Sequence, residues 1–535
     1  MMNKVILITV FLSISYSFAQ EKSAVWNADI GNGSYQNPII HADYSDPDVI
    51  AVGDDYYMTS SSFNASPGLP ILHSKDMVNW TLINHALPII EPRIHFEVPQ
   101  HGKGVWAPAI RYHKDTFYIY WGDPDFGIYM VKTKDPFGKW DPPVLVMEGK
   151  GLIDPCPLWD EDGQAYLVHA WAGSRAGVKS LLTLNKLSND GSKVLDNGVH
   201  IFDGHGEQFT VEGPKMYKRN GFYYVFAPAG GVPTGWQLIL RSKDPYGPYE
   251  SKVVLEQGST EINGPHQGAW VSHKNKDWFY HFQDKGAYGR VVHLQPMYWK
   301  NDWPVIGEDF DGNTIGEPVL THKKPIKSTK IYAPQESDEF SLEGLGLQWQ
   351  WNANPRVNWS ARIRGTDYLR LFSIPQTDEM KNLLFTPNLL LQKFPAPSFR
   401  AITKVSLEAE SLESVRAGLV ILGYDYSTLT IVNKTDGLYL EQSFAKKAND
   451  GGVESIQESI KLDQNIVWLG VEVIGPDASV IYSYSLDGEN YKTIGKQTIA
   501  KVGRWVGTKV GIFCSKTNSK VGGYADFDWF RISEL

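Results

Sequence analysis

A chain of 535 residues exceeds one ordinary domain and implies two or three. With 42% hydrophobic and 21% charged residues it has the composition of a folded protein, and its formal charge of -9 comes with no basic patch, which argues against nucleic acid as a partner. The 18 Trp, 27 Tyr and 23 Phe, alongside 49 Gly and 31 Pro, favour short strands and many turns over helices.

The N-terminus reads MMNKVILITVFLSISYSFAQ, with one lysine before an apolar run from Val5 to Ile14 and small residues at Ser17 and Ala19. That pattern predicts a cleaved secretory signal peptide over 1–19, too short to be a membrane span. It places the protein in the periplasm or the medium of a bacterium. No cysteine follows the apolar run, so no lipoprotein anchor is expected. No later segment reads as a membrane span. Cys156 and Cys514 are far apart in sequence and are expected as two separate buried thiols rather than a disulfide.

An internal repeat follows. Aromatic strand cores recur as GDDYYMTSSS, HKDTFYIYWG, EDGQAYLVHA, KRNGFYYVFA and NKDWFYHFQD. Aligned on Tyr57, Tyr118, Tyr166, Tyr223 and Tyr280, they are 61, 48, 57 and 57 residues apart. Each follows a polar turn and alternates apolar with polar residues, as a half-buried strand does. Units of this length with several strands and no helical pattern predict the blades of a five-bladed β-propeller, over 20–325. A long β-sandwich or β-helix is the competing reading; the repeat disfavours the first and its length the second.

About a dozen residues before each tyrosine lie Asp46-Pro47, Trp106-Ala107-Pro108, Asp154-Pro155, Glu212-Gly213-Pro214 and Pro265-His266. In a propeller the strand before the core strand lines the channel, so these five positions are expected to converge. One Asp-Pro alone would mark a turn; three acidic positions in one repeat register mark a site. Carboxylates sharing a cleft raise one another's pKa, which allows one to act as acid while another acts as base. Glycoside hydrolysis uses such a pair. Trp106 would offer a stacking wall for a sugar ring, and His266 and Arg290 would bond hydroxyls or steady a carboxylate. With no second His or Cys near His266 a catalytic metal is not expected, though a hydrated structural calcium in the channel stays open.

The segments NPIIHADYSDPDVIAVGDDYY, ILHSKDMVNW, GVWAPAIRYH, GLIDPCPLW, TVEGPKMYKRNGFYYV, NGPHQGAWV and GRVVHLQPM together resemble glycoside hydrolase family 43 in order and spacing. The resemblance implies a five-bladed propeller and an inverting, exo-acting pentosidase that needs no cofactor for catalysis. It implies Asp46 as general base, Glu212 as general acid and Asp154 as the carboxylate that tunes and orients the acid. His266 matches an axial histidine, often near a metal ion, Arg290 a substrate-site arginine, and Trp106 and Phe63 the walls of the terminal sugar pocket. Inversion requires the Asp46 and Glu212 carboxyls to stand roughly 6.5–9.5 Å apart. Asp48 after the Asp-Pro pair, where β-xylosidases of the family tend to carry Ser, looks more like a branch rich in α-L-arabinofuranosidases.

The expected function is therefore release of terminal α-L-arabinofuranosyl residues from plant hemicellulose, such as arabinoxylan or xyloglucan side chains. A β-D-xylosidase or a bifunctional enzyme is the alternative. A non-catalytic sugar-binding propeller is disfavoured by the three carboxylates, and a retaining fructosidase-type propeller by the absence of an NDPNG-like segment.

After residue 320 the repeat ends. A Lys-, Pro- and Ser-rich stretch reads as a linker over 326–336. From 337 to 535, AITKVSLEAE, AGLVILGY, TLTIVN, GLYLEQ and IVWLGVEVIG read as strands of a β-sandwich. LQWQWNANPRVNWS and ADFDWFRIS resemble the concanavalin A-like, jelly-roll domain that follows many family 43 β-xylosidases. There a loop reaches over the pocket, and Trp505 in GRWVG is the candidate for that contact.

Overall fold

Each of the five aromatic cores becomes the second strand of a four-stranded antiparallel sheet. Blade 1 is Asp48–Val52, Asp55–Thr59, Gly68–Ser74 and Thr81–Leu87. Blade 2 is Trp106–His113, Thr116–Asp123, Gly127–Thr133 and Val144–Glu148. Blade 3 is Leu152–Trp159, Ala165–Trp171, Leu181–Leu187 and Val199–Asp203. Blade 4 is Lys215–Arg219, Phe222–Ala229, Trp236–Ser242 and Glu250–Leu255, and blade 5 is His266–His273, Lys276–Asp284, Arg290–Lys300 and Trp303–Ile306. This computed structural model describes residues 22–341, 344–363, 366–407, 414–517 and 522–535. The expected signal peptide lies outside the described residues, among which no helix is long and apolar enough to cross a membrane.

Burial on both faces of a blade forces neighbouring blades together, because no single sheet can hide two apolar faces. Between blades 1 and 2, Tyr57, Ile71 and Leu87 pack with Ile110, Phe117 and Trp121. Tyr120 and Met130 of blade 2 meet Leu152 and Leu167 of blade 3, and Cys156 and Val168 of blade 3 meet Met216 and Val225 of blade 4. Phe226 and Ile239 of blade 4 pack on Phe279 and Met297, and Tyr56 and Trp80 on Tyr280 and Leu294 complete the ring. The first strands of blades 5, 1, 2, 3 and 4 lie against one another in that order along the inner wall, and blade 4 meets the first strand of blade 5 through its second and third strands. The ring is latched by Ser34–Gln36 pairing with Thr321–Lys323, and by Asn37, which donates to the carbonyls of Leu294 and Val319 and accepts from the Leu294 N–H.

A polar chain threads the same wall. The fully buried Asp48 carboxylate (blade 1) accepts from the Ile110 N–H at 2.7 Å and from Arg111 Nη1 at 2.6 Å (blade 2). Arg111 also donates to Cys156 Sγ (blade 3) at 2.9 Å and lies 5.2 Å from the Tyr217 ring centre (blade 4). The Tyr217 hydroxyl accepts from the Trp270 N–H (blade 5) at 3.2 Å. All five blades are thus joined through one buried ion pair. Cys156 and Cys514 are both free and buried, as expected from their separation.

The second half is a sandwich of two seven-stranded sheets around a core that includes Trp349, Trp359, Leu419, Leu469, Phe527 and Phe530. Its attachment to the propeller combines backbone and side-chain hydrogen bonds. Ser66 and Trp351 exchange both N–H···O bonds, Asn354 caps the N–H and carbonyl of Ile90, and the Thr508 N–H donates to the Ala287 carbonyl at 2.7 Å. Residues 326–336 hold no strand, and Glu336 accepts from Ser23 Oγ and the Ala24 N–H, which pins the connection to the N-terminal segment.

Candidate active site

The inner strand of every blade carries one residue in the left-handed region at the same place: Asp46 (φ 55), Ala107 (φ 34), Asp154 (φ 56), Gly213 (φ 58) and Gln267 (φ 36). Each is followed by Pro or Gly, and in blades 2, 3 and 5 the ladder slips there, the mark of a β-bulge. This corrects the sequence register in one respect. Asp46 and Asp154 occupy the left-handed position itself, whereas Trp106, Glu212 and His266 stand one residue earlier, level with Ser45 and Ile153. Asp is among the side chains that tolerate αL backbone, so the carboxylates fit where they stand.

The three carboxylates have distinct surroundings. Asp46 Oδ2 accepts from the hydroxyls of Ser45 (2.7 Å) and Ser61 (2.6 Å), and Oδ1 lies 3.4 Å from Arg290 Nη1. Ser61 Oγ also accepts from the Ala107 N–H at 2.7 Å, so blade 2 holds the hydroxyl that holds Asp46. Asp154 Oδ2 accepts from the Gly213 N–H at 2.7 Å and from Gln267 Nε2 at 3.5 Å. It is thereby bonded to the residue next to Glu212. Burial, reinforced by the charge of Asp46, pushes the Asp154 carboxyl above the usual carboxylate range. Glu212, whose side chain keeps 27% exposure, is pushed up by burial first, then by the negative charges of Asp154 and Asp46, against a weaker pull from Arg290 and Lys179.

His266 Nε2 lies 3.5 Å from Glu212 Oε1 without making a hydrogen bond. Burial, with Arg290 adding, drives the imidazole down to about 3, so at neutral pH it is uncharged. Arg290 bonds Ser45 Oγ at 2.9 Å, and its guanidinium sits 4.8 Å from the Phe282 ring centre and 5.7 Å from that of Trp505. Trp106 and Phe63 meet edge to face at 6.3 Å, and Phe63 and Val105 exchange both backbone bonds. Trp505 sits on the sandwich with φ 62 and is 42% exposed. It shares a cleft with Arg290 and Tyr424 and lies so close to Gly102 that a Cβ there would come within 3.3 Å of its Cδ1. The structure therefore brings Asp46, Asp154, Glu212, His266, Arg290 and Trp505 to one end of the channel, with Trp106 and Phe63 beside them.

The family model described as Glycosyl hydrolases family 43 matches residues 35–304. The chain belongs to glycoside hydrolase family 43. The model of the beta xylosidase C-terminal concanavalin A-like domain matches residues 337–533 of this family 43 enzyme. A putative beta-xylosidase of Xylanibacter ruminicola is 40% identical over 96% of this chain and 92% of its own length. A non-reducing end alpha-L-arabinofuranosidase of Bacteroides ovatus is 28% identical over 94% and 96%. A solved family 43 protein of Bacillus licheniformis is 26% identical, covers 94% of this chain and 100% of its own, and superposes with a TM-score of 0.81.

In the family 43 hydrolase, Asp48 is buried and bonded to blade 2, its carboxylate taken up by the Ile110 N–H and Arg111. What sequence reasoning missed are Ser45, Ser61 and Gln267, short polar side chains that carry no motif of their own. Only the bulge, which turns two successive residues toward the channel end, could have pointed to Ser45 and Gln267. Both ring nitrogens of His266 lack a hydrogen-bond partner, and among the described residues no set of three or more His, Cys, Asp or Glu side chains converges to ligate a metal. A calcium ion takes six to eight oxygens, so it would bring nearly all of them as water, with His266 its one protein neighbour in this set.

Proposed function

We propose that this enzyme is an exo-acting, inverting pentosidase that removes β-D-xylose from the non-reducing ends of xylan-derived oligosaccharides. The carrying observation is the unequal treatment of Asp46 and Glu212. Asp46 receives two hydroxyls and a guanidinium, donors that suit a carboxylate ready to take a proton from water. Glu212 has a neutral imidazole, buried surroundings and two nearby negative charges, which suit a protonated acid facing the leaving oxygen. Asp154 holds the backbone beside Glu212, and its charge adds to the burial that raises the Glu212 carboxyl. These three carboxylates supply base, acid and tuning without a metal. Trp106, Phe63 and Trp505 wall a pocket that suits one terminal sugar, which is the reason for the exo reading. Export to the periplasm or the medium, and hemicellulose of plant origin as the substrate, complete the proposal.

The preference for arabinofuranose rested on Asp48, whose carboxylate is fully buried and engaged with Ile110 and Arg111 between the blades. The 40% identical relative named a putative beta-xylosidase then weighs more than the 28% identical arabinofuranosidase. α-L-Arabinofuranose remains the second reading, favoured by that same Bacteroides ovatus relative. The test is parallel assay of 4-nitrophenyl β-D-xyloside and α-L-arabinofuranoside, followed by xylo-oligosaccharides with NMR of the first-formed anomer. The xyloside is expected to be cleaved faster and to release α-xylose. Release from neither glycoside, or β-xylose as first product, overturns the proposal.

A pH prediction follows from the directions of shift. The alkaline fall of kcat/KM reports loss of the Glu212 proton. Asp154→Asn removes a negative charge that raises that pKa while leaving an amide oxygen for the Gly213 N–H. The alkaline limb should therefore move to lower pH. An unmoved limb would remove Asp154 from the tuning role.

A further inference from the structure

Asp43 lies within the first family 43 segment without an expected role, yet its buried carboxylate joins the two domains at the catalytic centre. Oδ1 accepts from the Arg290 N–H at 2.9 Å and Oδ2 from the Gly507 N–H of the sandwich at 2.9 Å. The backbones around it are in direct contact. A Cβ on Gly289 would fall 2.4 Å from Asp43 Cγ, and one on Gly507 would fall 2.6 Å from Gly289 N. Thr508 N–H donates to Ala287 one step further on. Arg290 leaves this knot toward Ser45 and Asp46, and Trp505, two residues before Gly507, leaves it toward Arg290 and the pocket rim. On the sandwich side, Lys393 and Lys509 occupy paired, half-buried positions on adjacent strands, where burial lowers both ammonium groups and the charge of Asp43 works against that lowering.

From this arrangement we propose that Asp43 is the positioning residue that locks the Trp505 loop and Arg290 into one unit, so that the sandwich domain sets the depth of the sugar pocket. Removing the carboxylate takes away the one acceptor that both N–H groups share in this structure. Loss of Asp43 frees both segments together and leaves in place the bonds of Asp46 to Ser45 and Ser61 and of Asp154 to the Gly213 N–H. The effect should fall on sugar binding rather than on the chemical step. The proposal rests on the pentosidase reading for its kinetic arm and is independent of it for its structural arm.

The experiment compares Asp43→Ala and Asp43→Asn with wild type. Hydrogen–deuterium exchange should rise in both the 285–291 and the 502–509 segments of Asp43→Ala, and in Asp43→Asn to a smaller degree. On whichever pentoside the wild type cleaves, KM should rise about tenfold, the cost of a lost charge-assisted hydrogen bond, with kcat changed less. Faster exchange in only one segment, or none, overturns the lock. A fall confined to kcat overturns the pocket-depth role. If Asp43→Ala fails to fold, the isosteric Asp43→Asn carries both readouts under the same criteria. Failure of the wild type to cleave any pentoside would count against the proposed function, while the exchange result would still decide the lock.

Discussion

Glu212→Ala should lose turnover in proportion to how badly the leaving group needs a proton. On xylo-oligosaccharides, whose leaving alcohol is a poor one, the expected fall in kcat is about 10²–10⁴-fold, the range of a positioned general acid. On a 4-nitrophenyl glycoside the leaving group departs without help, and the fall should be about tenfold or less, because the remaining pocket still binds and orients the sugar. Asp46→Ala is the contrasting control. Its carboxylate is the group bonded to two hydroxyls and Arg290, and its removal leaves no base for water. Hydrolysis of both substrate kinds should drop together by about 10²–10⁴-fold. Equal losses on both substrates for Glu212→Ala would refute the acid assignment. A leaving-group-dependent loss for Asp46→Ala would exchange the two roles.

The second large effect is on stability and lies away from the pocket. Asp48→Ala leaves the Arg111 guanidinium, whose side chain is 13% exposed, without its carboxylate inside the inner wall. Breaking a buried pair on one side costs about 3–5 kcal/mol, more than most single substitutions. The apparent Tm of the variant should fall by several degrees in scanning calorimetry, while the fraction that remains folded keeps a KM near the wild-type value. Asp48→Asn, which keeps one acceptor for the Ile110 N–H, should lie between. A changed KM with unchanged Tm would restore Asp48 to the sugar site.

Both predictions separate what the sequence made legible from what it did not. The five blades were readable because an aromatic strand core with a polar turn before it repeats where an apolar interblade face has to be filled. Asp46, Asp154 and Glu212 were readable because a Pro follows each of them within two residues at the same place in the repeat. The one-residue offset between Asp46 and Glu212 was hidden, since backbone handedness at a bulge is not written in residue type when Asp, Ala, Gly and Gln all occupy it. Asp43 was hidden for another reason: its two partners are 247 and 464 residues away in sequence, and only closure of the ring and docking of the sandwich bring them together. Trp505 was readable as an aromatic in a loop, and its contact with Arg290 depends on that same docking.

The left-handed residue that recurs once in each blade beside the channel bears on how such a centre can be rebuilt. Blade 4 presents its acid from the residue just ahead of the left-handed position, and blades 2 and 5 fill that same station with Trp106 and His266. Trp106 and His266 thus occupy, on their own blades, the register that Glu212, the proposed acid, holds on blade 4. A protein engineer wishing to relocate the proton donor, or to add a third polar contact for a branched sugar, has those two positions to work from. Grafting onto the left-handed residues would present the new group from the base's station instead.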